Sequence, residues 1–279
     1  MRPVFLPVSL DELWEILSDH PEAALYAGGT DLLVRVGKRL SSPPALVCLE
    51  RIGSLKGVRE EGNRVWLGAC STHTRLLENP LIRRHFPVLT KALETLGSPH
   101  IRNMGTIGGN IVTASPAGDT LPPLYVLGAQ LEIRSASSTR FISIADFVKG
   151  PGKTDLSRGE IVTGVWLNKE PAYRIHHYEK VGQRNAQAIA VVNMAALLDL
   201  SGTGRIEKAR LSWGSVGPTV ISSVAVENFL MGKYLSADVL TEAAPLVQTA
   251  VRPIDDVRAS ASYRREVSGN LLMRLLECM

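Results

Sequence analysis

Tyr26-Ala27-Gly28-Gly29-Thr30-Asp31-Leu32 is the stretch on which the reading of this chain turns. Its counterpart is Gly105-Thr106-Ile107-Gly108-Gly109-Asn110, running on through Ala114-Ser115-Pro116-Ala117-Gly118-Asp119. Each sets two adjacent glycines beside hydroxyl and polar residues. A pyrophosphate needs several N–H donors converging on its oxygens, and main chain comes that close only where no Cβ intrudes. A loop that runs into a helix adds the positive end of the helix dipole. Thr30, Thr106 and Ser115 can add hydroxyl donors. Asp31 and Asp119 would repel a bare phosphate, so they suit a ligand that also carries ribose, ribityl or ring N–H groups. One Gly-Gly pair is more often a tight turn. Two of them, both polar-flanked and both after strand-like runs, weaken that reading. Neither G-x-G-x-x-G nor a G-x-x-x-x-G-K run ending in Ser or Thr occurs, so the chain has no Rossmann or P-loop fingerprint.

Working outward, Ser9-Leu10-Asp11-Glu12 reads as a capping box before a short amphipathic helix carrying Leu13, Trp14, Ile16 and Leu17. Residues 23–27 read as a short buried strand entering the first glycine pair, and 32–36 as a helix that Asp31 can cap. Strands are expected at 45–49, 64–68, 130–134 and 160–165, and helical segments at 74–77, 87–96 and 122–127. A boundary falls near Lys169-Glu170-Pro171. Beyond it come strand-like runs at 189–200 and 209–213, then helical patterns at 223–231, 236–250 and 258–276. Strands and helices are partly segregated and no regular βαβ repeat is visible, so the fold class is α+β.

Composition narrows the function classes. Of 279 residues, 45% are hydrophobic and 21% charged, and the net charge is +4. No block of about five like charges occurs, which leaves nucleic acid and membrane surfaces without support. No run approaches about 18 apolar residues, so no membrane span is expected. The first residues are broken by Pro3 and Pro7 and followed by Asp11 and Glu12, unlike a signal peptide. The expected location is cytoplasmic. The three cysteines, Cys48, Cys70 and Cys278, form no C-x-x-C pair and suggest neither a disulfide framework nor an iron–sulfur site. Cys70 stands where an apolar residue is expected and reads as a packed thiol. His176 and His177 are adjacent on a strand, so their rings point to opposite faces, and no metal ligand is assigned. Asp255-Asp256 reads as the cap of the last helix, and Arg264-Arg265 as a solvated or subunit-facing surface. No acid–base dyad and no catalytic residue is assigned.

At the glycine stretches the chain resembles a known family. Ala27-Gly28-Gly29-Thr30-Asp31-Leu32 resembles the first FAD loop of the molybdopterin dehydrogenase flavoproteins, which include the medium subunit of carbon monoxide dehydrogenase and the flavin domain of xanthine dehydrogenase. Thr106 to Asn110 with Ser115 to Asp119 resembles the second loop. Tyr178-Glu179-Lys180-Val181-Gly182-Gln183-Arg184 resembles the opening of the family's C-terminal domain, and the stretch from Asp255 to Arg265 its closing helix. The four blocks follow in the right order across most of the chain.

The resemblance implies the FAD-binding fold of vanillyl-alcohol oxidase and p-cresol methylhydroxylase. Two α/β subdomains, about 1–55 and 56–170, would clasp FAD, and a sheet-plus-helices domain at 171–279 would follow. It further implies that Leu25, Tyr26, Ala27, Gly28, Gly29, Thr30, Asp31 and Leu32 cradle the diphosphate. Leu96, Thr106, Gly108, Gly109, Asn110 and Ser115 would line the second loop. Asp119 and Lys180 would be polar contacts and Ile161 an apolar one near the ring, with Lys180 placed to favour negative charge on reduced flavin. A small iron–sulfur subunit with 2Fe–2S clusters and a large subunit with the molybdenum–pterin cofactor would be partners. Electrons would leave FAD for NAD or another acceptor, and the assembly would be a dimer of heterotrimers. Two other readings stand beside this one: a self-contained FAD oxidoreductase on the same fold, and an assembly subunit that has lost FAD.

Overall fold

The computed structural model describes residues 2–169, 171–184 and 187–278; Glu170, at the expected boundary, lies outside the described residues. β1 (Val4–Phe5), α1 (Leu10–Asp19), β2 (Ala24–Tyr26), α2 (Leu32–Gly37) and β3 (Leu46–Cys48) follow one another, and β3 pairs in parallel with both β1 and β2. Parallel neighbours need a crossover, which the helices supply. The sequence reading places β2, α2 and β3 but not β1, whose two residues are too short to show a period. The strand expected to be buried at 23–27 is shorter and only half-buried. Ser9 does start α1: its Oγ accepts the Glu12 N–H at 3.2 Å, while the Glu12 carboxylate accepts from the Val8 N–H at 2.7 Å. Leu13, Val47, Ile52 and Leu55 form the small core between these elements.

The middle of the chain builds a five-stranded sheet. β4 (Val58–Glu61) and β5 (Arg64–Gly68) lead into six short helices: α3 (His73–Glu78), α4 (Pro80–His85), α5 (Pro87–Thr95), α6 (Pro99–Met104), α7 (Ile107–Thr113) and α8 (Leu121–Val126). Proline explains their shortness. Pro80, Pro87 and Pro99 each occupy a first helical position, where the missing N–H costs nothing, and each disfavours helix in the residue before it. β6 (Gln130–Arg134) and β7 (Thr139–Ser143) follow, then α9 (Ile144–Phe147), a ribbon of β8 (Val148–Gly150) and β9 (Lys153–Thr154), and β10 (Ile161–Asn168). The sheet order is β4-β5-β10-β6-β7 and every pairing is antiparallel. As the central strand, β10 is buried from Ile161 through Leu167.

The last part is an antiparallel meander, β11 (Ile175–Val181), β12 (Val192–Leu200), β13 (Ile206–Gly214) and β14 (Ile221–Ser222). α10 (Val224–Leu230), α11 (Ala237–Ala250) and α12 (Ala261–Asn270) cover one face. The two-residue period of β12 splits its side chains cleanly. Met194, Ala196 and Leu198 pack with the helices, while Ala195 and Leu197 join Tyr178 against Val88, Ala92 and Val126 of the middle region. One core cluster therefore spans the expected boundary.

Two expectations at the C-terminal end need correction. The cap of α12 is Ser260, whose Oγ accepts the Tyr263 N–H; Asp255 takes the Ala261 N–H at 2.6 Å, and Asp256 instead pairs with Arg258 and Arg264. Arg264 is not on a solvated surface: it is 1% exposed. Its guanidinium donates to the Val191 and Ser215 carbonyls at 2.6 and 3.1 Å and to Asp256 at 2.7 Å. Those carbonyls flank β12 and β13 and need a donor, which outweighs the pull of water on the charge. Arg265, next to it, is exposed.

Candidate functional site

The two glycine stretches meet. A Cβ on Gly28 would stand 1.6 Å from the Met104 carbonyl oxygen, so only glycine lets the first loop press onto the main chain that leads into the second. Gly29 takes a left-handed φ of +69°, which turns the chain into α2. Between the loops opens a cleft of about 530 Å³, within the range of sites for nucleotide-sized ligands.

The first loop offers main-chain donors. Among the described residues, the N–H groups of Gly28, Gly29, Thr30, Asp31 and Leu32 have no hydrogen-bond partner. Five consecutive unpaired donors at the edge of a cleft are an exception to the near-complete pairing of protein main chain, and they suit an anion. Asp31 sits at the N-cap of α2 but makes no side-chain cap bond, contrary to the sequence reading. Its backbone there is helical rather than extended, and its carboxylate accepts the Thr113 hydroxyl from across the cleft at 3.4 Å.

The second loop is built differently. The N–H groups from Ile107 to Asn110 are all taken, by Ser71 O, Ala69 O, Thr106 Oγ1 and Thr106 O. Gly108 exists for packing, since a Cβ there would lie 2.6 Å from the Ala69 Cβ. At Gly109 a Cβ would meet only Thr106 Oγ1, at 3.0 Å, and would otherwise point into open volume. The second loop therefore contributes an open surface and side chains rather than N–H donors. Asn110 accepts the Thr120 hydroxyl at 2.7 Å and its –NH2 has no partner among the described residues, while Ser115 closes a local turn on the Ala117 N–H.

Leu25 through Leu32, Leu96, Thr106, Gly108, Gly109, Asn110, Ser115 and Ile161 all line this one cleft. Asp119 and Lys180 do not. They form a buried ion pair at 2.7 Å, with side chains 11% and 7% exposed. Lys180 also donates to Thr95 O, beside the cleft residue Leu96. Burial pushes the Asp119 carboxyl up, against the pull of Lys180 and of hydrogen bonds from Tyr178 and Asn193. This network ties the end of the second glycine stretch to β11 and β12.

Other lining residues lie outside the sequence assignment. Arg35, one helical turn beyond Asp31, carries an exposed guanidinium with no partner among the described residues; its i+4 spacing was the available signal. Glu160, held by Arg140 at 2.7 Å, and Leu156 line the far end beside Ile161. Cys70 lines the cleft as a packed thiol, 5% exposed, which burial pushes up to about 12. His73 lines it too, and nothing local in the sequence points to it. His177 and Cys278 stand together elsewhere, 3.3 Å apart, and no three-residue His, Cys, Asp or Glu group suited to a metal occurs among the described residues. No helix among those residues is long and apolar enough to cross a membrane.

Comparison with known proteins agrees with this geometry over almost the whole chain. Residues 1–168 match the family described as FAD binding domain in molybdopterin dehydrogenase, and 176–279 match the CO dehydrogenase flavoprotein C-terminal domain. The glyceraldehyde dehydrogenase medium chain of Sulfolobus acidocaldarius is 34% identical over 95% of this chain and 94% of its own length. The nicotinate dehydrogenase FAD-subunit of Eubacterium barkeri is 30% identical over 94% and 90%. Among solved structures, a chain of quinoline 2-oxidoreductase from Pseudomonas putida 86 superposes with a TM-score of 0.95 at 29% identity, over 100% of this chain and 96% of that one. The cleft, its main-chain donors and both domain matches lead to one conclusion: this chain belongs to the FAD-binding medium-subunit family of the molybdopterin dehydrogenases.

Proposed function

We propose that this chain holds FAD as the electron-transfer subunit of a multi-subunit molybdenum hydroxylase. The observation that carries the proposal is the row of five unpaired N–H groups from Gly28 to Leu32, facing a cleft whose other wall is the open Cα of Gly109. In this reading the first loop binds the diphosphate, with Arg35 adding positive charge. Thr106, Gly109, Asn110 and Ser115 contact the nucleotide from the second loop. Leu96 and Ile161, 6% and 3% exposed, supply apolar walls that exclude water. FAD, when bound, supplies redox chemistry that links one-electron and two-electron partners.

Lys180 and Asp119 act on the site from behind Leu96. The Lys180 ammonium favours added negative charge in the cleft, and the pair fixes β11 against the end of α5. The relatives named above are called a medium chain and an FAD-subunit, which favours a subunit over a self-contained oxidoreductase. Three cysteines are too few for a four-cysteine cluster site, so the 2Fe–2S clusters belong to a small partner subunit. The molybdenum–pterin cofactor belongs to a large one, and NAD or another acceptor takes the electrons. A dimer of heterotrimers is the proposed assembly.

The test is to purify the chain without added cofactor, record its visible spectrum and identify what heat releases. Flavin bands with FAD in the supernatant are the expected result. A colourless protein that also fails to take up FAD, alone and with its partner subunits, would sink the proposal.

A further inference from the structure

His73 opens α3, and its N–H is bound by Gly105 O at 2.9 Å. The Cδ2–Nε2 edge of the imidazole comes close to that glycine: a Cβ on Gly105 would stand 3.1 Å from Cδ2 and 3.4 Å from Nε2. The residue is 3% exposed and lines the cleft with Cys70, Leu96 and Ile101. Among the described residues neither ring nitrogen has a hydrogen-bond partner, and Nδ1 is fully enclosed. Nε2 is not enclosed in that way and keeps contact with the cleft.

These facts fix the proton. A neutral imidazole carries one N–H and one lone pair, and an enclosed N–H without an acceptor costs more than an enclosed lone pair. The proton therefore sits on Nε2, and the bare lone pair on Nδ1. Burial, with the Arg102 guanidinium nearby, lowers the ring's pKa to about 4, so it stays uncharged at neutral pH. A buried side chain that presents one unused donor to a cleft is there to meet an acceptor.

We propose that His73 is a further FAD-binding residue, donating Nε2–H to an acceptor atom of the nucleotide. The assignment rests on the reading of the cleft as the FAD site. It makes His73 a neutral directional contact beside the second loop, so its contribution persists at high ionic strength.

Affinity of the cofactor-stripped protein for FAD provides the test, read by flavin fluorescence. His73→Phe keeps the ring volume and removes the donor; it is expected to weaken FAD binding about fivefold to tenfold. His73→Gln places an amide –NH2 near the position of Nε2 and is expected to stay within about twofold of wild type. A folded His73→Phe protein that binds FAD as tightly as wild type overturns the proposal. Should His73→Phe fail to fold, nitrogen-15 spectra of the wild-type imidazole decide. FAD must shift the Nε2 resonance to a hydrogen-bonded position, and an unchanged resonance refutes the assignment. Wild-type protein that takes up no FAD refutes the FAD reading itself, and this proposal with it.

Discussion

Two glycine pairs stand in similar local sequence, Gly28-Gly29 before Thr30 and Gly108-Gly109 after Thr106, and they are used in opposite ways. In the first, Gly28 admits the Met104 carbonyl and Gly29 supplies a left-handed turn, leaving the following N–H groups unpaired. In the second, Thr106 caps the helix, Ser71 and Ala69 accept the next N–H groups, and Gly108 is consumed by contact with Ala69. What remains for a ligand is a row of donors on one side and a bare Cα on the other. The lesson is that a glycine pair signals close approach without saying of what. The partner, main chain or ligand, is chosen by segments far away in the chain.

The sharpest way to break this comparison is Gly28→Ala. Its methyl would have to displace the Met104 main chain, so we expect a loss of about 3 kcal/mol in stability together with loss of bound FAD. Thermal melting and flavin content check it, and a stable, yellow variant would show that the loops need not touch.

His73, packed beside the second loop, sets the next effect. Its folded pKa is lowered to about 4 from an ordinary 6.5, so the unfolded chain binds the proton first as pH falls. The stabilisation is complete above pH 6.5, is lost on acidification through that window, and amounts to about 3 kcal/mol. Denaturation of the cofactor-free protein between pH 6.5 and 4 should therefore show a flatter pH dependence in His73→Phe than in wild type.

Gly109→Ala separates the two roles of glycine. The new methyl meets only Thr106 Oγ1 and enters the cleft, so FAD affinity should fall about tenfold. Alanine also favours helix over glycine, so the melting temperature should hold or rise. A parallel loss of stability would place Gly109 with Gly108, as a packing glycine. The smallest effect is expected from Thr106→Val, which removes the acceptor of the Gly109 N–H and should cost about 1 kcal/mol in urea denaturation.

Legibility of the sequence followed the range of the interactions concerned. Ser9 as a helix start and the alternation of β6 depend on residues within a few positions of each other, and both are visible in the sequence. β1 and the parallel pairing of β1-β3-β2 are not, because β1 has only two residues and the pairing joins segments distant in the chain. Arg264 reads as a surface residue from its charge, yet its donors satisfy carbonyls at Val191 and Ser215. Asp255 and Asp256 read as one cap; the fold gives each a separate partner.

By itself, the sequence determined the mixed α+β class and the two places where backbone must come close to something. It also determined that these residues carry no four-cysteine set, since all of these follow from residue type and local spacing. Only the tertiary structure decided which loop keeps its N–H groups free, that Lys180 and Asp119 pair behind the cleft, and that His73 stands in its wall. The physical reason is that hydrogen-bond satisfaction and burial are properties of what a residue meets in space. Here the deciding partners lie 61 positions apart for Asp119 and Lys180, and Gly28 meets Met104, which leads into the other glycine stretch.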